Sequence, residues 1–351
     1  MTSICLVAIC KNESHCIARM LNSVKPYIDN YLICDTGSTD NTIEIIEKTM
    51  EGIPGGVCKT TWQDFSHNRN QAIELARGKS EYMLFLDCDD YLQVDNKKCL
   101  SNLTCPVYDV RFQHSNISYH RPQLVRNNVP CRYRGVLHEY LELPAGTTNR
   151  ELIGAHIVFG GSGSRTKDPN KYLNDVATFE RVFPLAARDQ FYYAQSLRDS
   201  GLHQQAIFAY LKRAKMNDWI EEVYISYLEI AKLYEKLNPN DEELIEKTYL
   251  KAYTTVSSRA ESLHYLALYW RSRNNFDKAY SFAKLGLAIK PHQGLFVEPA
   301  CYQWKMKDEA AISATYCGNK AEAKKWNEEL LKSEFLPTHE EQRIKNNLKF
   351  C

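Results

Sequence analysis

The chain has no excess of charge of either sign: 44 Lys and Arg stand against 43 Asp and Glu in 351 residues, a formal net charge of +1. That balance gives no electrostatic reason to invoke nucleic acid or an anionic membrane as a partner. No apolar run approaches the length needed to cross a bilayer, so no transmembrane segment is expected. The segment from Met1 to Cys10 has neither a basic leader nor a small-residue cleavage site, and reads as a first strand instead of a signal peptide. Without a secretory route, the Asn-x-Ser/Thr triplets at Asn12, Asn102 and Asn116 carry little weight as glycosylation sites. The twelve cysteines include no CxxC pair, which removes zinc-ligand spacing. Reduced thiols packed as small hydrophobes, in a cytoplasmic protein, are the simpler account.

What the chain does have is enough length for two domains with substantial cores. Its first ninety residues alternate in period. A strand at 3–10 is followed by Ile17, Met20, Leu21 and Val24 at helical spacing, then by the short apolar strand Tyr31 to Cys34 and the polar turn Asp35 to Thr42. Ile43, Ile45 and Ile46 carry a second helix, with Asn41 and Glu44 spaced as a capping pair. A βαβα beginning predicts a mostly parallel sheet. The apolar run Tyr82 to Leu86 stops abruptly on Asp87, Cys88, Asp89 and Asp90, as a central strand with carboxylates at its carboxyl end. That end is where open α/β sheets place ligands. Asp87 and Asp89, one residue apart, offer the hard oxygen ligands that Mg²⁺ or Mn²⁺ prefers; a solvated acidic turn would read the same way.

Four motifs stand in order: Lys11-Asn12-Glu13; the turn Asp35-Thr36-Gly37-Ser38-Thr39-Asp40-Asn41-Thr42; Asp64-Phe65 with Arg69-Asn70; and Leu86-Asp87-Cys88-Asp89-Asp90. Together they resemble the family 2 glycosyltransferases of the nucleotide-sugar-binding GT-A type, closest to the subgroup that carries tetratricopeptide-like (TPR-like) helices behind the catalytic domain. The resemblance implies a Rossmann-like, mostly parallel α/β sheet with helices on both faces over residues 1–165, and an all-α TPR-like repeat over 166–351. It implies contacts to the nucleotide sugar from Asn12, Glu13, Asp35, Arg69 and Asp87, with Cys88 a small residue in a variable place beside them. Asp89 would bind the metal directly, with Asp87 nearer the sugar or ribose. Each position keeps a plainer reading: a turn cap for Asp35, a surface arginine for Arg69, a helix or turn cap for Asp90.

From about 105 to 160 the pattern alternates as in strands: Tyr108 to Phe112, Ile117 to Val125, Tyr133 to Leu143 and Leu152 to Phe159. Within it, Gln123 to Asn127 and Arg132 to Glu139 resemble the subgroup's RN…YxGxxHE segment, with Val125 where an aromatic is expected. Sugar transfer needs a base for the acceptor proton. Glu139 is the candidate, with His138 as its neighbour; on a strand the two would point to opposite faces. A salt-bridged rim residue is the alternative for Glu139. His156 matches the place where the family often has a histidine completing the metal shell; a satisfied core histidine is the alternative. The stretch Gly160 to Lys167 would suit a loop closing over the diphosphate, or a plain linker.

Past about 170 the composition turns to helix formers. Three alanine pairs, Ala194 with Ala206, Ala267 with Ala279 and Ala311 with Ala323, stand twelve apart across polar turns, as small residues at helix crossings do in tetratricopeptide hairpins. A further hairpin fits between the first two, interrupted at Asn238 to Asp241. The many tyrosines there read as core between stacked helices, although a solenoid's concave side can also bind a peptide or another copy of the chain.

These readings converge on an inverting, metal-dependent glycosyltransferase using Mn²⁺ or Mg²⁺, with a UDP-sugar as first donor and a hydroxyl or thiol of a glycan, peptide or protein as acceptor. A non-catalytic scaffold carrying a degenerate catalytic domain is one alternative, and a nucleotidyltransferase another.

Overall fold

A computed structural model of the protein describes residues 2–114, 117–163, 168–216 and 218–351. The triplet residue Asn116 and the loop residues Ser164 to Lys167 named above lie outside the described residues. The chain divides into two compact units, residues 1–183 and 184–351.

The first unit is built on an eight-stranded sheet. Its strands are β1 (Ile4–Cys10), β2 (Asn30–Asp35), β3 (Gly55–Lys59), β4 (Tyr82–Phe85), β5 (Tyr91–Val94), β6 (Val107–His114), β7 (Ile117–Arg126) and β10 (Asn149–Val158). A small hairpin of β8 (Arg132–Arg134) and β9 (Tyr140–Glu142) stands apart. The order is β3-β2-β1-β4-β7-β6-β10-β5, with β7 and β5 antiparallel to their neighbours and the others running one way. The mostly parallel sheet expected from the sequence is therefore present.

The unbroken apolar runs follow from burial on both faces. In β4, Tyr82 and Leu84 enter one core cluster while Met83 and Phe85 enter the other; β1 divides its residues likewise, Leu6 and Ala8 against Cys5 and Val7. Helix α1 (Ile17–Val24) covers the first face with Ile17, Met20, Leu21 and Val24, and α2 (Thr42–Thr49) adds Ile46. Helix α3 (Phe65–Ala76) covers the second with Ala72, Ile73 and Ala76. The Asn41 side chain makes no cap bond on α2. Asp40 does that work instead, because its Oδ1 accepts from the Thr42 N–H at 3.1 Å. A fourth helix, α4 (Lys171–Glu180), counts with the sheet although the composition has already turned helical.

The segment read as a strand from Tyr133 to Leu143 is two short strands with a bend between. Gly135 at φ +94° and His138 at φ +51° turn the chain there, so His138 and Glu139 sit in a loop and strand alternation does not govern them.

The second unit is a series of helical hairpins: α5 (Ala187–Asp199) with α6 (His203–Ala214), α7 (Ile220–Leu237) with α8 (Glu242–Thr255), α9 (Glu261–Ser272) with α10 (Phe276–Leu287), and α11 (Met306–Tyr316) with α12 (Lys320–Leu331), followed by α13 (Thr338–Asn347). All six alanines of the three pairs are fully buried, so the helices approach closely where the sequence placed its small residues. Tyr210, Tyr224 and Tyr249 are core. A long connection after α10 is pinned by buried charge: Arg259 donates to Glu221 at 2.6 Å, to Glu261 at 2.9 Å and to the Leu295 carbonyl at 2.7 Å. Among the described residues no helix is long and apolar enough to cross a membrane.

His264, on α9, is buried with its Nδ1 unpartnered. Burial, helped by the charges of Lys305 and Arg271, pulls its imidazole down to about 4. A histidine that is harder to protonate folded than unfolded loses stability as pH falls. The window runs from the ordinary value near 6.5 to about 4. Thermal unfolding followed by circular dichroism should show that loss, up to about 3 kcal/mol, and His264→Leu should flatten it.

Candidate active site

The parallel register brings the carboxyl ends of β1, β2 and β4 to one edge. Cys10 pairs with Asp35 across β1 and β2, and Val7 with Phe85 across β1 and β4, so Asp87 to Asp90 emerge beside the residues that follow Cys10. Asp35 is buried, and its carboxylate accepts from the N–H groups of Gly37 at 3.1 Å and Ser38 at 3.0 Å. It holds the turn in shape, which is the capping role. Asn12, at φ +56°, completes that turn: its N–H donates to Ser38 Oγ at 2.9 Å and its Oδ1 accepts from the Thr39 N–H at 2.8 Å. The Glu13 N–H donates to Thr42 Oγ1 at 2.8 Å, and its Oε2 accepts from Cys16 Sγ at 3.1 Å. Asn12, Glu13 and Asp35 are thus brought together by bonds from main-chain amides to side-chain oxygens that link the first loop to the second.

Arg69 is the junction of the site. On the second turn of α3, it does not face the helix amides where a diphosphate would rest. Its Nη2 donates to Asp87 Oδ1 at 2.5 Å and its Nε to Glu139 Oε1 at 2.7 Å. The guanidinium lies 5.2 Å from the centre of the Tyr133 ring, and the side chain is 12% exposed. One cation in a nearly dry setting therefore joins helix α3, the turn after β4 and the β8–β9 loop. Burial works to raise the Asp87 carboxyl, but the charge and hydrogen bond of Arg69 hold it below the ordinary carboxylate range. Glu139 is in reach of this centre, whereas His138 is an exposed neighbour in the bend.

Asp89 is held from the other side. Its Oδ2 accepts from the Gly163 N–H at 3.0 Å and its carbonyl from Arg19 Nη2 at 2.5 Å. The Gly160 N–H donates to Asp90 Oδ1 at 3.0 Å, and His15 Nε2 lies 2.6 Å from the Ser162 carbonyl. The glycine loop is therefore fastened over the aspartates. A Cβ on Gly160 would come within 1.6 Å of the Asp89 carbonyl oxygen, so only glycine permits this approach. Asp90 is buried, and burial followed by the charge of Asp87 raises its carboxyl to about 7.

Two positions are not brought to this centre. Cys88 is buried, its Sγ donating to the Ile9 carbonyl at 3.2 Å, so it packs against β1. His156 is buried in mid-strand, paired across to Gln93, and its Nδ1 lies 3.5 Å from Asp95 Oδ2 without a hydrogen bond. Among the described residues, Asp87, Asp89 and His156 do not gather ligand atoms within 4.8 Å of one another. The donor set that does fit a hard divalent cation is carboxylate alone. Asp87 gives one oxygen to Arg69 and Asp89 one to Gly163, and each keeps a second oxygen, with Asp87 37% exposed. Such a pair leaves most of the ion's shell to water and phosphate, as Mg²⁺ and Mn²⁺ sites commonly do.

Three contributors were not singled out from the sequence. Arg19 and His15 grip the loop, and Tyr133 lies beside Arg69. Only Tyr133 carried a signal, as part of the YxGxxHE segment; a basic side chain on the exposed side of α1 looks like any surface residue.

Residues 5–104 match the family model for Glycosyl transferase family 2. The chain is 30% identical over 154 residues to a TPR repeat-containing protein of Synechococcus elongatus, covering 40% of this chain and 36% of that protein. It is 37% identical over 87 residues to the SPbeta prophage-derived glycosyltransferase SunS of Bacillus subtilis, covering 24% of this chain and 20% of that one. The matches thus span about a third of the first relative's length and a fifth of the second's. A crystal structure of MamA overlaps 53% of this chain and 95% of its own at 13% identity, with a TM-score of 0.37, too low to bear on the argument.

Replacing Arg69 by Met leaves Asp87 and Glu139 facing each other's neighbourhood without their shared cation. Because Asp87 is partly exposed, the expected loss is about 1 to 3 kcal/mol, read as a lower urea midpoint with unchanged slope.

Proposed function

We propose, for a chain whose residues 5–104 match the model of glycosyl transferase family 2, that it is an inverting, metal-dependent transferase. It moves a sugar from a nucleotide sugar, a UDP-sugar first, to a hydroxyl or thiol on a glycan, peptide or protein. The observation that carries this reading is the Arg69 bridge, which holds a donor-side carboxylate, Asp87, and a candidate base, Glu139, in one relation at the sheet edge.

In this reading the turn from Asp35 to Thr39, braced by Asn12, receives the base and ribose, and Glu13 lines the same opening. The free oxygens of Asp87 and Asp89 would hold Mn²⁺ or Mg²⁺, which supplies positive charge where the nucleoside diphosphate departs. Glu139 takes the acceptor proton on its Oε2, since Oε1 is committed to Arg69. The acceptor oxygen or sulfur attacks the anomeric carbon from the face opposite the leaving group, which inverts the configuration. His138, exposed beside Glu139, contacts the donor or acceptor. The loop through Gly160 to Gly163 closes on Asp89 and Asp90 and keeps water from the sugar. The helical unit arranges the acceptor or a second copy of the chain.

One observation favours the scaffold reading: the carboxylates are all engaged by protein groups, Asp87 and Glu139 by Arg69, Asp89 by Gly163. Release of UDP from UDP-sugars with Mn²⁺ separates the two. The transferase reading expects turnover that falls by about a hundredfold or more in Asp89→Ala. Silence of the wild type with every UDP-sugar leaves the scaffold. Pyrophosphate formed from a sugar phosphate and a nucleoside triphosphate would point to a nucleotidyltransferase instead.

A further inference from the structure

A cavity of about 430 Å³ is lined by close chain neighbours of Arg69 and Glu139 and by none of the residues assigned above to the donor. Its apolar wall is made by Trp62, Leu137 and Val182, and its polar wall by Asn174, Thr178 and Arg181. The placement follows from the chain. Phe65, which also lines it, stands one helical turn before Arg69, and Leu137 stands two residues before Glu139. A group seated there is a near neighbour of the carboxylate that would take the acceptor proton. We propose that this cavity is the acceptor subsite and that it takes a sugar ring, so that the acceptor is a glycan. The inference rests on the transferase reading above and names its substrate class.

The chemistry of the walls selects the occupant. Trp62 stays 40% exposed, and its indole is held edge to face against Phe65 at 4.9 Å and 84°. A pre-set, half-open indole is a platform for the apolar C–H face of a pyranose. The polar wall offers the Asn174 Oδ1 as acceptor, since its Nδ2 donates to Asp168, the Thr178 hydroxyl oxygen as acceptor, since its proton goes to the Asn174 carbonyl, and the Arg181 guanidinium as donor, a mixture suited to a ring of hydroxyl groups. Two carboxylates line the cavity: Asp64, spent on capping α3 through His67 N–H and Ser66 Oγ, and Asp175, which is buried. The volume lies in the range of ligand pockets, about 300 to 1,000 Å³. A peptide would need main-chain partners, such as an open strand edge, and the residues lining this cavity come from loops and two helices.

The test is saturation-transfer NMR with lactose, cellobiose, maltose and N,N′-diacetylchitobiose on the full chain and on Trp62→Ala and Asn174→Ala. Both positions are exposed, and thermal melting verifies that each variant folds. At least one disaccharide should bind the wild type, and each variant should weaken it roughly fivefold or more. No binding by any of the four, binding unchanged in both variants, or Trp62-dependent binding of casein-derived peptides without sugar binding would overturn the proposal. UDP binding with Mn²⁺ is titrated in parallel. If UDP binds and the sugars do not, the subsite fails alone; if UDP does not bind, the transferase reading itself fails.

Discussion

A single guanidinium sets the geometry on which the chemistry proposed for the first unit depends. Arg69 makes charge-assisted bonds of 2.5 Å and 2.7 Å to two carboxylates that are 52 residues apart in the chain, and stands beside a tyrosine ring. Arginine suits this place because its planar fork offers several donors in fixed directions, which a lysine ammonium does not. The arrangement is also costly to disturb, because a charge in so dry a setting is tolerated only while its partners are present. The rest of the site is arranged around that constraint: β4 delivers Asp87, α3 delivers Arg69, and a bend with two left-handed residues delivers Glu139.

Much of the fold was legible because the physics behind it is local. Unbroken apolar runs announced strands buried on both faces, and β4 divides its side chains between two cores. Alanines twelve apart announced helix crossings, and all six are buried. What the sequence could not show was where turns interrupt a good strand pattern. The run from Tyr133 to Leu143 alternates well, yet Gly135 and His138 take positive φ and break it, a property of two backbone angles that no periodicity records. Capping was misread for a similar reason: Asn41 and Glu44 have the right spacing, but Asp40 is nearer the Thr42 amide and takes the role.

The site was legible where motif and edge coincide and obscure where contacts are long-range. Asp35, Arg69, Asp87, Asp89 and Glu139 could be named from their segments. That Arg69 would bridge two of the others could not, since the pairing depends on how α3 and the β8–β9 loop pack on the sheet. Nor could the grip of Arg19 and His15 on a loop some 140 residues later. Cys88 and His156 turned inward because each sits where a strand or its continuation faces the core, and a sequence pattern gives that direction only when the register is known.

The fastening of the glycine loop has a consequence for how such a chain can vary. Asp89 and Asp90 are gripped by amide protons of Gly163 and Gly160, which belong to the backbone and are common to every residue except proline. Exchanging side chains along the segment leaves those protons in place, although bulk at Gly160 collides with the aspartate carbonyl. Variation in the strength of the latch is therefore left to the side chains that reach it from outside the segment, Arg19 and His15.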